Sequence, residues 1–544
     1  MDASDFDDIL VRLGMGRWNL VYIIAAAYSC FLTPPQFLSG VYMVPHVDYM
    51  CLVPENETTV ELSPDSCSYL RNSSDTEEWV PCTQWSFNSS LFTSSITSEF
   101  GLACDRDYQR ANYQAAYMFG TLLGQYIGGY LADRYGRKIV VVVTHVLMSI
   151  TAIGMVFLNS FITILIFRFI NGAVYLLMPF ILSMEVCPPK YRATVGVLAG
   201  MPWAFGTIFW GAAAYFVRDW RYLQLTVSLP SLLIFIPLYF MDESPRWLIV
   251  EGHHTKALKV LKKASRWNRA TLPSDEDLLK LFKDIENQTV SNISKQNEES
   301  HDQEAKKSKS CGRPKLFSTT QISIITTILC WSFFTVSLVF DGLNLSGDIY
   351  SADPFLYIIL GGLVEVPGYT LSVPIIERFG RKIPTAGNYF FCGVVILVVI
   401  IIPTHITWLV MTLVLLGKLF ITAAYQIIYV YSTELFPTEV RSQGMGLACV
   451  CQQAGSVLSP YITTYIGPLC PWVPSVLFGG ASLLSGITTL KLGETLNIPL
   501  PDTVADLVNI SRRRREKQDE VTFRQDEVTS DIMCQTELKS DCDF

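Results

Sequence analysis

Twelve stretches of about 20 mostly apolar residues restrict the fold of this sequence more than any other feature, since such a stretch crosses roughly 30 Å of hydrocarbon as an α-helix. Six lie near 18–40, 111–132, 139–158, 161–182, 193–216 and 222–240. Six more lie near 319–342, 353–376, 384–403, 406–432, 442–465 and 472–491. The sequence therefore predicts an all-α integral membrane protein with twelve transmembrane helices in two six-helix halves.

The composition excludes most soluble functions. Of the 544 residues, 50% are hydrophobic and only 17% are charged, whereas soluble domains carry about a quarter charged residues. The formal net charge of −8 comes without an extended basic face, so we expect no nucleic-acid partner. The lipid bilayer is instead the expected surrounding of most of the chain.

Short basic clusters between the spans predict the orientation in the membrane. With twelve spans the clusters all fall on one side, which the positive-inside rule makes cytoplasmic. They are Arg134, Arg137 and Lys138; Lys190 and Arg192; Arg378, Arg381 and Lys382; and Arg512 to Arg515. We expect a multi-pass plasma membrane protein with both termini in the cytoplasm. The expected divisions are an N-terminus at 1–17, a first half at 18–240, a linker with short helices at 241–318, a second half at 319–491 and a tail at 492–544.

The segment 43–108 then lies outside the cell and carries two independent marks of a secreted environment. Four cysteines, which predict two disulfides in one of three pairings, are Cys51, Cys67, Cys82 and Cys104. Glycosylation sequons, which need an exposed loop, begin at Asn56, Asn72 and Asn88.

The loops contain an internal repeat. The string GGYLADRYGRK at 128–138 recurs as VPIIERFGRK at 373–382. Duplicated halves around a hydrophilic linker are typical of transporters that rock one half against the other. Acid, glycine turn and paired basic residues can join helix ends by charge-assisted bonds that break and reform in this motion. We predict a conformational latch that consists of Asp133, Arg134, Arg137, Glu185, Arg192, Glu377, Arg378, Arg381, Glu434 and Arg441.

The motifs together resemble the organic cation, carnitine and organic anion transporters of the major facilitator superfamily, and the organic cation branch most of all. The strings that carry the resemblance are the two repeat loops, PPKYRATVG at 188–196, DESPRWL at 242–248, VEVPG at 364–368, STELFPTEVRSQGMG at 432–446 and ETLNIPLPDT at 494–503. The resemblance covers nearly the whole chain and implies the major facilitator fold. The chain departs from the family in two places: the first loop has four cysteines where six are common, and Gly493 stands where a proline is usual.

Acidic side chains inside spans are candidates for substrate contacts, because each costs about 3 kcal/mol to insert. Glu365 lies midway along the eighth span, and the resemblance implies a counter-charge for a cationic substrate there. Its alternative role is a structural ion pair with Lys418 or Arg168. Asp341 in the seventh span is a second carboxylate, and its alternative is a hydrated position outside the hydrocarbon.

Aromatic rings and amides complete the predicted site, because an ammonium over a ring face gains roughly 0.5–2 kcal/mol. The resemblance implies pocket positions on spans seven and ten for Phe333, Phe340, Tyr425 and Tyr429. Gln453 occupies the position on span eleven where cation transporters of the family tend to have aspartate and anion transporters arginine. Trp203 is a candidate by depth, and Gln426 by its polar side chain, which could also form an interhelical hydrogen bond.

We expect a secondary transporter of small organic cations, such as amines, quaternary ammonium ions or monoamine and histamine derivatives, that works by alternating access in electrogenic, facilitated uptake. A sodium-coupled transporter of carnitine-like zwitterions, an organic anion exchanger and a non-transporting sensor on the same scaffold stay open as alternatives. An enzyme is not expected, because the six histidines are scattered and no HExxH, CxxC or GxxxxGK[ST] string occurs. The sequence predicts no cofactor and no metal site.

Overall fold

The computed structural model describes residues 4–53, 62–63, 66–73, 76–175, 178–198, 200–287, 315–317, 319–351, 353–403 and 405–496. Helices occupy all twelve positions where the hydropathy pattern predicts a span. We number these helices as spans 1 to 12 in chain order. The tail after residue 496 and most of the linker after residue 287 lie outside the described residues.

The first half contains spans 1 to 6, preceded by a short helix at Ser4–Leu13. Span 1 is Arg17–Phe37, continued by Gly40–Met43; span 2 is Tyr108–Tyr135; and span 3 is Arg137–Gly154, extended by Met155–Phe157. Span 4 is Phe161–Ala173 and Met178–Glu185; span 5 is Pro189–Leu198 and Met201–Phe216; and span 6 is Trp220–Ser228, Leu229–Ile234 and Phe235–Phe240.

The second half contains spans 7 to 12. They are Thr320–Leu345, Pro354–Phe379, Lys382–Val399, Thr407–Leu435, Arg441–Pro460 with the π-helical continuation Tyr461–Ile466, and Trp472–Thr489. Short helices Gly347–Tyr350 and Gly467–Leu469 follow spans 7 and 11.

Seven of the described helices are long and apolar enough to cross a membrane by length and composition. They are spans 1, 3, 6, 7, 8, 9 and 10, counted as continuous segments such as Arg17–Met43 and Trp220–Phe240. Among the remaining five, spans 4 and 5 are each built from two shorter helices, and span 2 carries several glutamine, glycine and tyrosine residues. A helix with polar groups on its surface needs protein neighbours or a cavity at membrane depth.

Linker helices close one end of the first half. They are Pro245–Val250, His254–Asn268 and 275–287. Ala257, Leu261 and Ala264 are buried at spacings of three and four, so one face of the second helix packs inward. The Asn268 amide oxygen accepts from the backbone N–H of Trp18 at 3.0 Å and thereby holds the start of span 1. We call this end of the bundle the linker end.

The opposite end carries the cysteine-bearing segment, and we call it the disulfide end. Strand Tyr49–Cys51 pairs antiparallel with Trp85–Phe87, and Ser68–Ser73 pairs with Thr76–Pro81. The structure joins Cys51 to Cys82 and Cys67 to Cys104, which selects one of the three possible pairings. Asn72 lies in the second strand and Asn88 is exposed, whereas Asn56 falls outside the described residues.

The two halves contact each other at the disulfide end. The Tyr42 hydroxyl donates to the carbonyl of Pro354 at 3.1 Å, and Tyr461 donates to Asn112 at 2.8 Å. The backbone N–H of His46 donates to Asp348 at 3.4 Å. These bonds join the ends of spans 1 and 2 to spans 7, 8 and 11, so the structure is closed at this end.

Candidate functional site

A buried ion pair lies in the middle of the second half. Oε1 of Glu365 on span 8 lies 2.9 Å from Nζ of Lys418 on span 10, and both side chains are 0% exposed. The pair meets the distance of an ion pair, but its angles are not those of a hydrogen bond. Of the two basic partners that sequence considerations suggest for Glu365, Lys418 is the one that the structure provides.

Local packing explains how the ammonium reaches the carboxylate. A Cβ on Gly361, one turn before Glu365, would lie 2.6 Å from Nζ of Lys418. Lys418 thus crosses the face of span 8 directly over Gly361, and a larger residue there would require the ammonium to shift. The helix runs unbroken from Pro354 to Phe379 through Pro367.

Arg168 lies elsewhere, in the first half. Its guanidinium carbon lies 4.6 Å and 4.5 Å from the ring centres of Tyr113 and Tyr117, and Nη1 donates to the Gln36 carbonyl at 3.1 Å. The side chain is 0% exposed. The two tyrosine rings attract its charge by cation–π interactions, and its Nε and Nη2 have no hydrogen-bond partner among the described residues.

Asp341 is the second buried carboxylate of the site. It is 3% exposed on span 7, so it is not a hydrated residue outside the bundle. Its oxygens face hydroxyl groups: Ser337 donates to Oδ2 at 3.1 Å, and Oγ of Ser337 lies 2.5 Å from Oγ of Ser456 on span 11. These hydroxyls satisfy hydrogen-bonding capacity but leave the carboxylate charge uncompensated.

The predicted aromatic residues form one connected group beside this carboxylate. Ring centres lie 5.4 Å apart for Phe340 and Tyr425, 5.7 Å for Tyr425 and Tyr429, and 5.0 Å for Tyr429 and Phe333. Gln452, which is not among the predicted residues, donates from its amide to the Tyr425 hydroxyl and accepts from the Tyr429 hydroxyl. Its position next to Gln453 in CVCQQAG is the signal that could have identified it.

The remaining predicted residues connect this group to the first half. Nε2 of Gln453 donates to the Thr121 hydroxyl of span 2 at 3.4 Å. The Gln426 amide lies beside span 5, 3.0 Å from where a Cβ on Gly200 would be. Trp203 packs edge-on against Phe37, with ring centres 5.3 Å apart. Gln453 and Gln426 thus lie where the second half meets spans 2 and 5, whereas Trp203 and Phe37 both belong to the first half.

Five of the ten predicted latch residues form two similar clusters at the linker end. In the first half, Nε of Arg137 donates to Glu185 at 3.0 Å and its Nη1 lies 2.9 Å from Asp133. In the second half, Arg381 donates to Glu434 from Nε and Nη2, at 3.2 and 3.0 Å. Each arginine joins the start of span 3 or 9 to the end of span 4 or 10.

Two acids that the sequence analysis did not select complete these clusters. Glu243 accepts from the backbone N–H of Lys138, and Glu494 accepts from those of Arg381 and Lys382. Burial acts to raise the pKa of Glu494, but four backbone N–H donors outweigh it and hold the pKa below its usual value. Both acids follow the last span of their half, which is the signal that could have found them.

Glycine is required at the turn before span 3 and at the turn before span 9, where each glycine lies against one of these acids. Gly136 and Gly380 have φ values of +101° and +82°, which L side chains rarely adopt. A Cβ at either position would lie 2.5 Å from a carboxylate oxygen of Glu243 or Glu494. The repeated glycine therefore serves both the turn and the close approach of the acid.

Other predicted latch residues make separate contacts. Arg134 donates to the Tyr130 hydroxyl at 3.0 Å, and Arg192 bonds to Asp7 of the N-terminal helix rather than to Glu185. The remaining members are Glu377, which is exposed; Arg378, whose guanidinium lies over Phe379; and Arg441, which donates to the Phe436 carbonyl and Thr438.

A cavity of about 250 Å³ lies between the halves at the disulfide end, away from the ion pair. Arg110, which is 2% exposed, donates there to Nδ1 of His46 at 3.2 Å and to Asp107 at 2.8 Å. Burial and the Arg110 guanidinium hold the pKa of His46 below its usual value. Asp348 is exposed toward the cavity, and the surrounding protein raises its pKa.

Comparison with known proteins gives consistent results over nearly the whole chain. Residues 36–503 match the family of sugar (and other) transporters. The chain is 32% identical to rat (Rattus norvegicus) solute carrier family 22 member 3, over 84% of this chain and 79% of that protein. It is 29% identical to human (Homo sapiens) organic cation/carnitine transporter 2, over 94% and 96%. The solved proton:xylose symporter XylE, with bound 6-bromo-6-deoxy-D-glucose, aligns with a TM-score of 0.57 at 17% identity, covering 89% of this chain and 98% of XylE.

Proposed function

Because the chain belongs to the sugar (and other) transporter family, in the group that includes solute carrier family 22 member 3, we propose that it moves small organic cations by alternating access. Family membership makes it a multi-pass membrane transporter and not an enzyme. The cation as substrate and the electrogenic, facilitated mode are the proposal.

The surroundings of the buried Asp341 carboxylate are the observation that carries the proposal. Its carboxylate is buried among hydroxyl groups, beside the aromatic group of Phe340, Tyr425 and Tyr429. Together with Glu365 and Lys418, it gives the site two carboxylates and one ammonium, a formal charge of −1. One monovalent cation neutralises that charge, and the adjacent rings favour an ammonium over a small inorganic ion.

Glu365 takes part in substrate binding by exchanging its ion-pair partner Lys418 for the substrate ammonium. A substrate ammonium that approaches the carboxylate competes with Nζ, which lies 2.9 Å away. The internal ammonium keeps the buried acid compensated when substrate is absent and therefore lowers the cost of the empty state. Release of the substrate lets the pair re-form, so either side of the membrane can be served by one site.

We propose that the linker end faces the cytoplasm and the disulfide end faces the outside of the plasma membrane. Disulfides form in oxidising spaces, which supports this orientation for the segment with Cys51–Cys82 and Cys67–Cys104. The exposed Asn88 is then the best placed of the described sequons for glycosylation. The clusters of Arg137 and Arg381 act as cytoplasmic latches that open and close as the halves rock.

A zwitterionic substrate is the second candidate, and the Glu365–Lys418 pair itself favours it. A separated pair offers one carboxylate for a quaternary ammonium and one ammonium for a carboxylate. Human organic cation/carnitine transporter 2, to which the chain is 29% identical, has carnitine in its name.

Flux into proteoliposomes that contain the purified full-length protein tests the proposal. We expect uptake of labelled tetraethylammonium, inhibited by other amines, and much slower uptake of a betaine or a dicarboxylate. Preference for the betaine would support the second candidate. Binding of these compounds without flux would identify a sensor and contradict transport.

A further inference from the structure

Two thiols from different spans contact each other inside the second half. Among the described residues seven cysteines are outside disulfides. Cys330 of span 7 and Cys451 of span 11 each have the other thiol as their strongest side-chain partner. Both are half-buried, and neither belongs to the site or the latch described above.

The packing of spans 7 and 11 fixes this contact. One turn beyond the thiols, a Cβ on Gly455 would lie 2.4 Å from the carbonyl oxygen of Phe334, so the backbones are close. Beyond that, Oγ of Ser337 lies 2.5 Å from Oγ of Ser456. Residues four apart share one face of a helix, so Cys330 and Phe334 lie on one face of span 7, and Cys451 and Gly455 lie on one face of span 11. The thiols therefore lie one turn before the close approach of the two spans at Gly455.

Two adjacent thiols are a ligand set for soft ions, because thiolate sulfur prefers such ions to hard ones. We propose that Cys330 and Cys451 form a dithiol site for one thiophilic ion, of which a trivalent arsenical is the best probe. With phenylarsine oxide, two arsenic–sulfur bonds form and the arsenic–oxygen bonds break. The oxide leaves with the two thiol protons as water, and arsenic stays trivalent.

Occupation of this dithiol site holds span 7 to span 11 next to the substrate site. Cys451 directly precedes Gln452, whose amide bonds to the hydroxyls of Tyr425 and Tyr429. Span 7 carries Asp341 about three turns beyond Cys330. A bridge between the thiols thus restrains the helix that carries Asp341 and the helix that carries Gln452, and we expect it to slow transport.

Protection of the two thiols tests the dithiol site without reference to any substrate. The purified full-length protein is treated with phenylarsine oxide, rinsed with a monothiol and then labelled with a maleimide. Peptide mass spectrometry should show Cys330 and Cys451 protected together, and 2,3-dimercaptopropanol should restore their labelling. In Cys330→Ser, Cys451 should lose its protection, because a single sulfur–arsenic bond exchanges with the monothiol.

Cys449 provides the matched control. It lies on the same span, but its side chain bonds to Tyr429 instead of another thiol. Cys449→Ser should keep the protection of Cys330 and Cys451. Persistent protection of Cys451 in both Cys330→Ser and Cys330→Ala, each measured on the monodisperse fraction, would overturn the assignment. Because labelling does not depend on transport, this result is separate from the fate of the cation proposal.

Discussion

Glu365 and Lys418 form an ion pair with 2.9 Å between Oε1 and Nζ, and neither side chain is exposed. Removal of one partner of a buried pair leaves an uncompensated charge and typically costs about 3–5 kcal/mol. Single substitutions at these positions therefore affect folding and transport together. A paired substitution is needed to separate the two effects.

We predict that Glu365→Gln lowers both the amount of protein at the cell surface and the uptake of an organic cation, the latter by about tenfold or more. In the double variant Glu365→Gln with Lys418→Met, surface amount should recover, because no lone charge remains buried. Uptake per molecule should stay low, because the substrate has lost one counter-charge. Surface biotinylation and labelled tetraethylammonium uptake provide the two measurements. Recovery of uptake along with surface amount would assign the pair a purely structural role.

Asp341→Asn should reduce cation uptake by about tenfold or more, because removal of one charge leaves the site formally neutral. The amide keeps a hydrogen-bonding group for Ser337, so the surface amount should change little. Asp353→Asn is the matched control, since Asp353 is exposed and caps the start of span 8. Equal uptake by the two variants would remove Asp341 from the substrate site.

Arg137→Gln and Arg381→Gln should each lower the maximal uptake rate several-fold with little change in KM. Both arginines join helix ends far from the carboxylates, so their loss alters the rocking of the halves and not substrate binding. Arg266→Gln, an exposed change in a linker helix, serves as the control. A raised KM at unchanged maximal rate would show that these arginines act on the site.

External acid should loosen the closed disulfide end through His46. Its pKa is lowered in this closed state by burial and by Arg110, whereas it is near 6.5 when solvated. The contribution of His46 to closure is therefore complete above about pH 6.5 and is lost as the pH falls through the lower, closed-state value. Asp348, whose pKa is raised, acts in the opposite direction, and the other facing charges are Asp107 and Asp48.

A cysteine placed at Thr464, which lines the cavity, reports this opening. Its labelling by a membrane-impermeant thiol reagent, compared at about pH 5.5 and pH 7.4, should increase on acidification more in the wild-type background than with His46→Gln. Both backgrounds contain Asp348 and are labelled with the same reagent, so the difference between them is free of the pH dependence of Asp348 and of the reagent. Equal responses in the two backgrounds would exclude His46 from the gate.

The fold could be predicted because its main determinant is local. Apolar stretches and the repeated loops give spans and duplication, and the family match and the likeness to XylE confirm the predicted major facilitator fold. The turn at Val174 and Tyr175 in span 4 escaped prediction, because the stretch stays apolar across it. The acids Glu243 and Glu494 escaped it as well, because their partners are backbone N–H groups, which leave no pattern in the side chains.

The residues that form the site could be predicted from the sequence, but which of their charged groups contact each other could not. Hydropathy makes Glu365, Lys418 and Asp341 conspicuous, yet rotation of the helices about their axes decides which charges meet. Lys418 lies over Gly361 and reaches Glu365, and Arg168 is instead enclosed by tyrosines. The thiol contact of Cys330 with Cys451 depends in the same way on the register of two helices.

Uptake driven by a set membrane potential tests the central claim most directly. Movement of one positive charge through 100 mV is worth about 2.3 kcal/mol, or roughly fiftyfold accumulation. In proteoliposomes with an inside-negative potassium diffusion potential of about 100 mV, tetraethylammonium should accumulate toward that limit. Collapse of the potential should abolish accumulation, and sodium replacement should leave it nearly unchanged. A flux that requires sodium and ignores the potential would contradict cation uniport and favour the zwitterion.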